Sequence, residues 1–331
     1  GAMAAEALGL TGNPPDAVAR ARDKLATREA FDAAGLPTPG FRSLSLEDDP
    51  AIAAATVRYP CVLKPVFLSA SRGVIRADSP DAFVVAFERI ASLLRRPEVA
   101  SLGGSRAATL VVEDFIPGPE VALEGLVSHG ALRVLAIYDK PDPLDGPFFE
   151  ETLLTTPSRH PAEVRDAIER AVASGVAALG LRHGPIHAEA RISDEGVRLL
   201  EIAPRSIGGL CSRTLRFTGG ESLEGLILRH AAGEETTAVD LEPGAAGVMM
   251  IPTPAEGTLT GVVGRERALA IRGIEDVVIT IPPGHRIVGP PDGDRYLGFI
   301  FARADDPGAV EQALREAHAR LRFDVARDSA P

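Results

Sequence analysis

The chain has 331 residues, 45% of them hydrophobic and 24% charged, with a formal net charge of −11. At the usual ~100–200 residues per domain this makes two or three domains with a sizeable core. The acidic balance argues against a nucleic-acid partner, no apolar run reaches the ~18 residues of a membrane span, and the distant pair Cys61 and Cys211 excludes a disulfide framework or cysteine zinc site and points to a reducing cytoplasm. Of the 35 basic residues only three are Lys, at positions 24, 64 and 140. In so Arg-rich a chain, a surviving Lys marks a place where a compact ammonium is needed and a planar fork will not fit.

Pro14-Pro15-Asp16 opens a helical pattern that carries Lys24 and stops at Gly35. Tyr59–Val66 reads as a short apolar strand delivering Lys64, followed by a serine-bearing turn with Ser69, Ser71 and Gly73. Such a turn can hold phosphate through backbone N–H groups and hydroxyls, although it lacks the glycines of a P-loop or dinucleotide fingerprint. Ser79-Pro80-Asp81 caps a helix to about Arg96, with Ala82, Val85, Ala86, Ile90 and Leu93 on one stripe. From Ala108 to Thr156 the pattern is mostly strands broken by Pro-Gly and His-Gly turns. The segment Val111–Glu120 ends one strand in a Pro-Gly turn with acidic residues on both sides. Free edge backbone with a carboxylate there could bind an adenine and a ribose; a solvated turn is the plain alternative.

Pro161–Leu179 is an amphipathic helix, and the strands Pro185–Ile192 and Val197–Pro204 follow as a hairpin. A three-residue turn Asp194-Glu195-Gly196, with Gly196 left-handed, sets Glu189 opposite Glu201. One face then carries His187, Glu189, Arg191, Glu201 and Arg205, and the other carries Ile186, Ala188, Ala190, Ile192, Leu200 and Ile202. Facing carboxylates at roughly 5 Å repel by about 3 kcal/mol at an effective dielectric near 20. A divalent cation with oxygen ligands would offset this, and so would an ion network through Arg191 and Arg205. His187 is either substrate-facing or a satisfied core histidine. After a helix around Ser222–Ala232 the pattern lapses near Glu235–Ala246. Strands near Gly247–Pro252, Asp276–Ile281 and Arg295–Ala302 and a helix Pro307–Leu321 then form a small α+β tail. The expected divisions are a linker and helix (1–35), a small α/β lid (36–128), a larger core (129–243) and the C-terminal domain (244–331).

The ordered blocks Lys24, Lys64-Pro65, Ser71-Arg72-Gly73-Val74, Glu113–Glu120, His187-Ala-Glu189 and Glu201-Ile-Ala-Pro-Arg205-Ser-Ile-Gly-Gly209 resemble the ATP-grasp superfamily, and within it the carboxylate–amine ligases near the L-amino acid ligases. The resemblance spans roughly residues 14–232, and it implies an α+β ATP-grasp fold in which a small lid rests on a larger antiparallel core. It implies ATP bound between lid and core, with Lys24 and Lys64 on the phosphates and the Ser69–Gly73 loop, Ser71 included, closing over them. Glu113 and the backbone near Phe115 would read the adenine, Glu120 the ribose, and Glu189 and Glu201 would hold Mg2+ (or Mn2+). Arg205, His187 and Arg191 would stabilise the moving γ-phosphate and hold the substrate acid, with Lys140 at the acid-binding end. The implied activity joins a small-molecule carboxylate to an amine through an acylphosphate, releasing ADP. A non-catalytic ATP-binding module or scaffold and an ATP-grasp phosphotransferase are the competing readings. Two departures stand out. Ala203 replaces the family's usual Asn, and the α/β domain that normally precedes the Lys24 helix is not in this sequence, whether through trimming, a misassigned start or its replacement by a partner; a homodimer or a partner supplying that domain is one expectation.

Overall fold

The computed structural model describes residues 1–293 and 295–327. Its N-terminal helical stretch is two helices, Pro15–Ala21 and Lys24–Ala33, rather than one. The break falls at Asp23, whose extended backbone lets its carboxylate accept from the Leu25 and Ala26 amides as an N-cap. Lys24 therefore sits at the first position of its helix, with its amide donating to the Val66 carbonyl at 2.9 Å.

Four strands form the lid sheet: β1 (Phe41–Ser45), β2 (Cys61–Pro65), β3 (Ile75–Ala77) and β4 (Thr109–Asp114), in the order β1-β4-β2-β3. The helix Pro80–Leu94, capped by Ser79, covers this sheet. Its buried stripe is Phe83, Ala86, Phe87, Ile90, Leu93 and Leu94, whereas the expected Val85 faces solvent. Rings outweigh the smaller Val in choosing the buried face, because burial free energy follows apolar area.

The lid closes at Asp114, earlier than the expected boundary. β5 (Glu120–Ser128) pairs with β6 (Ala131–Lys140) and with β8 (Gly184–Ser193), so it belongs to the large sheet. The crossing is made at Pro117-Gly118-Pro119. A side chain on Gly118 (φ +104°) would place its Cβ 2.0 Å from the Ile192 carbonyl oxygen, so only glycine fits.

The expected C-terminal boundary near residue 244 is also not a seam between sheets. The large antiparallel sheet has eight strands, running Ile274–Ile279, Gly298–Ala304, Ala245–Met250, β7 (Leu153–Thr156), β6, β5, β8 and β9 (Gly196–Ala203). Three strands of the C-terminal segment thus extend the core sheet through β7. The helix Ala162–Leu179 packs with Ala17 and Phe31 against one end of this sheet, and the helix Pro307–His318 covers the other through Val310, Leu314 and Ala317. No helix of the described residues is long and apolar enough to cross a membrane.

Candidate active site

The hairpin of β8 and β9 sets the two carboxylates as the sequence requires, by a different route. Its turn has two residues, Asp194-Glu195, since Ser193 pairs with Gly196. That register alone would offset the acidic pair. A bulge at Leu200 restores it, so that Glu189 lies opposite Glu201. The bulge also exchanges neighbours: Leu199, not Leu200, joins the buried core, and Leu200 turns to the cavity. The carbonyls of Leu199 and Leu200 both accept from the Arg28 guanidinium at 2.8 Å, which fixes the irregularity from outside the edge strand.

All five residues of the predicted polar face (His187, Glu189, Arg191, Glu201 and Arg205) line one cavity of about 520 Å³ between lid and core. That volume suits a nucleotide-sized ligand. The three lysines line it too, as do Ser69, Ser71, Glu113, Phe115 and Glu120.

On the lid side, the half-buried Lys64 donates to Glu113 at 2.5 Å, and Arg28 grips the same carboxylate through Nε at 2.7 Å and Nη2 at 3.1 Å. Burial would raise the Glu113 carboxyl, but the Arg28 and Lys64 cations outweigh it and hold it at about 2. Burial lowers the Lys64 ammonium, with Glu113 opposing and Arg28 reinforcing. Glu113, expected to read the adenine, therefore has both oxygens engaged by cations. Lys24 donates to the Leu68 carbonyl at 2.5 Å and stands 3.8 Å from Glu201, which brings two ammonium groups to the phosphate side.

The loop after β2 holds Ala70 at φ +55° and Ser71 at φ +52°, a left-handed pair that costs about 1–2 kcal/mol per residue outside glycine. Ser69 and Ser71 face the cavity. Gly73 does not: its amide donates to the Pro291 carbonyl at 2.8 Å, and a Cβ there would meet Pro65 at 2.8 Å. The expected contact of Gly73 with phosphate would need that amide bond to open.

On the core side, Lys140, expected at the acid-binding end of the site, lines the cavity among carboxylates. Its ammonium is shared by Glu120 at 2.7 Å, Glu189 at 3.0 Å and Glu151. Burial would lower it, but the three carboxylates hold it well above the usual lysine range. Glu189 is half-buried, which would raise its carboxyl, yet Lys140 and His187 hold it well below the carboxylate range, whereas burial and Glu189 push Glu151 up despite Lys140. The repulsion within the acidic pair is thus offset by Lys140 and His187 rather than by Arg191 and Arg205.

His187 lies between Glu124, at Nδ1, and Glu189, 3.5 Å from Nε2. Burial would lower its pKa; the Glu124 bond and charge, aided by Glu189, raise it to about 10, so it is an imidazolium at neutral pH. The other Glu124 oxygen accepts from the Ile207 amide at 3.0 Å and positions the loop after Arg205.

Arg191 is fully engaged. It donates to Glu120 at 3.0 Å, to the Ile116 carbonyl at 2.7 Å and to the Leu144 carbonyl, and it lies over the Phe115 ring. The expected contact of Arg191 with a moving phosphate would have to compete with these three bonds. The Glu120 oxygens are shared in turn between Lys140 and Arg191. Arg205 differs from both. It is exposed to the cavity, donates to the Ser206 carbonyl at 2.8 Å, and no carboxylate pairs with it among the described residues.

Arg28, Glu124 and Glu151 escaped the sequence reading. Their partners lie 85, 63 and 11 residues away respectively, and nothing local marks them among 32 arginines and 46 acids.

Two lid-and-core sheets clasping a cavity with lysines above and acids below define an ATP-grasp protein. The ATP-grasp domain family matches residues 57–214, and L-amino acid ligase C-terminal domain 2 matches residues 249–326. The chain accordingly belongs to the ATP-grasp superfamily, and it is built like the L-amino acid ligases. A crystal structure of L-amino acid ligase from Bacillus licheniformis superposes with a TM-score of 0.82 at 29% identity, covering 98% of this chain and 78% of that one. Among curated relatives, the uncharacterized protein y4rH of Sinorhizobium fredii is 28% identical over 312 residues, 93% of this chain and 62% of the relative. Alanine–anticapsin ligase of Bacillus subtilis is 28% identical over 220 residues, covering 62% of this chain and 46% of that protein. The chain thus spans between about half and two thirds of these two curated relatives.

Proposed function

We propose that the chain is an ATP-dependent carboxylate–amine ligase. A substrate carboxylate oxygen attacks the γ-phosphorus, the bond to the β,γ-bridging oxygen breaks, and ADP leaves. A neutral amine then attacks the acyl carbon of the acylphosphate, inorganic phosphate departs, and the nitrogen loses a proton to give the amide. The observation that carries this reading is the division of charge around one cavity: Lys24 and Lys64 above, the Glu189–Glu201 pair below, and the uncommitted Arg205 guanidinium between them.

Such chemistry needs no protein nucleophile. It needs charge neutralisation where negative charge gathers, in a place closed to water. Lys24 and Lys64 are placed to meet phosphate oxygens, Arg205 to meet the transferring phosphoryl group or the acid, and the imidazolium of His187 to add positive charge beside Glu189. With the Glu113 carboxylate occupied, the Asp114 and Phe115 amides spent on the Gly40 and Pro60 carbonyls and the Ile116 carbonyl taken by Arg191, contact with the base falls to the remaining backbone groups of 114–116, and Glu120 can reach a ribose only by sharing oxygens now held by Lys140 and Arg191.

The donor set fits a divalent cation. Oxygens of Glu120, Glu151 and Glu189 lie within 4.8 Å of one another around the Lys140 ammonium, and Glu201, outside that cluster, faces Glu189 across the ladder, so a cation between Glu189 and Glu201 would compete with Lys140 for Glu189. Glu189 and Glu201 would hold Mg2+, which would supply charge neutralisation to the phosphates. The test is ADP release over a panel of amino acids and small carboxylates. Glu201→Gln should abolish acid-dependent release, and wild-type turnover by that variant would overturn the assignment.

A further inference from the structure

The serine-bearing lid loop is fastened to the C-terminal segment. Beyond the Gly73 bond to Pro291, Arg72 Nε donates to the Asp292 carbonyl at 3.1 Å. The Asp292 side chain faces the lid helix region: its Oδ2 accepts from Arg96 at 3.2 Å, and Arg89 Nε lies 3.9 Å from Oδ1. That Oδ1 is buried without a hydrogen bond. A small cavity of about 40 Å³ lies at this junction, with Ala70 and Ser71 on one wall and Pro290, Pro291 and Tyr296 on another. A few residues beyond Asp292, Tyr296 and Phe299 form part of the wall of the main cavity.

We propose that Asp292 is a positioning residue, a latch that ties the left-handed Ser69–Gly73 loop to the segment walling the opposite side of the cavity. The proposal rests on the ligase reading for its catalytic consequence, not for its geometry. With the latch closed, the loop stays over the phosphates while the segment carrying Tyr296 and Phe299 is in place, and the acylphosphate is shielded until the amine arrives. With the latch weakened, the loop opens between the two half-reactions and water takes the acyl group.

Asp292→Asn keeps the backbone acceptor for Arg72 and removes the charge that holds Arg89 and Arg96. The expected results are an amide-to-ADP ratio lowered about three- to fivefold, a raised KM for ATP, and trypsin cleavage at Arg72 accelerated by a similar factor. The exchange of Arg89→Asp and Arg96→Asp together with Asp292→Arg, which reverses the charge of Asp292 and of both its arginine partners, should recover the ratio and slow the cleavage. An unchanged ratio together with unchanged cleavage in Asp292→Asn, at wild-type melting temperature, overturns the proposal. So does failure of the exchange to restore either readout while the protein stays folded. If the wild type forms no amide from any acid and amine, the ligase reading fails instead, and trypsin cleavage with and without a non-hydrolysable ATP analogue still decides the latch.

Discussion

Replacing Arg28 by Met is the sharpest test of how the lid is held to the core. Arg28 is 1% exposed and spends its fork on Glu113 in the lid and on the Leu199 and Leu200 carbonyls in the core. Removing one member of a buried ion pair typically costs about 3–5 kcal/mol, because the partner charge stays buried. A second estimate comes from linkage. Glu113 is held at about 2 against an ordinary 4.5 by Arg28 and Lys64 together, which corresponds to roughly 3 kcal/mol at neutral pH and bounds the share of Arg28 from above. Its depressed folded value makes this stability present above about 4.5 and lost as pH falls towards 2. The estimates agree, and at roughly 2–4 °C per kcal/mol for a chain of this order they give a fall in Tm of about 6–12 °C. With no Trp in the chain, far-UV circular dichroism or dye-based melting is the suitable assay. Arg28→Lys, which keeps charge without the fork, should fall in between. A Met variant melting within about 2 °C of wild type would refute the strut, as would an equal loss for Lys and Met at pH 7 and pH 3.

Two further outcomes follow from the acidic cluster. Lys140→Met removes the cation shared by Glu120, Glu151 and Glu189, so Tm should fall by several degrees without metal. Added Mg2+ should raise the variant's Tm more than the wild type's; equal increments would show that the cluster does not respond to a divalent ion. His187→Gln tests the imidazolium. The raised folded value of about 10 makes its stabilisation fully present below about 6.5 and lost as pH rises through 10. Wild-type Tm should therefore decline between pH 7 and 10 more steeply than that of the variant, and parallel curves would contradict the Glu124–His187 pairing.

The parts of the site that were legible in the sequence are those with local causes. Alternation along β8 and β9 named the polar face, and the scarcity of Lys singled out three residues that all reach the cavity. The pairing of Glu189 with Glu201 was read correctly through a wrong turn, because one residue omitted from the loop was restored as a bulge at Leu200. No periodicity announces such a bulge. It depends on Arg28 arriving from another helix to take two successive carbonyls. The commitments of Arg191 and of the Gly73 amide are invisible in the sequence for a related reason: residue type shows what a side chain or amide can bind, not whether a distant carbonyl has already claimed it. β5 carries the same apolar signal as the lid strands, and only its partners in β6 and β8 assign it to the larger sheet.

The continuous eight-stranded sheet has a practical meaning for anyone recombining this chain with its relatives. A crossover near residue 244 would strip three strands from a shared hydrogen-bonded layer and leave the backbone of β7 as a bare, sticky margin. The natural joint lies instead at Pro117-Gly118-Pro119, where the polypeptide passes between layers and few ladder bonds are severed. Exchange of the lid as a cassette respects the architecture; exchange of the tail alone does not.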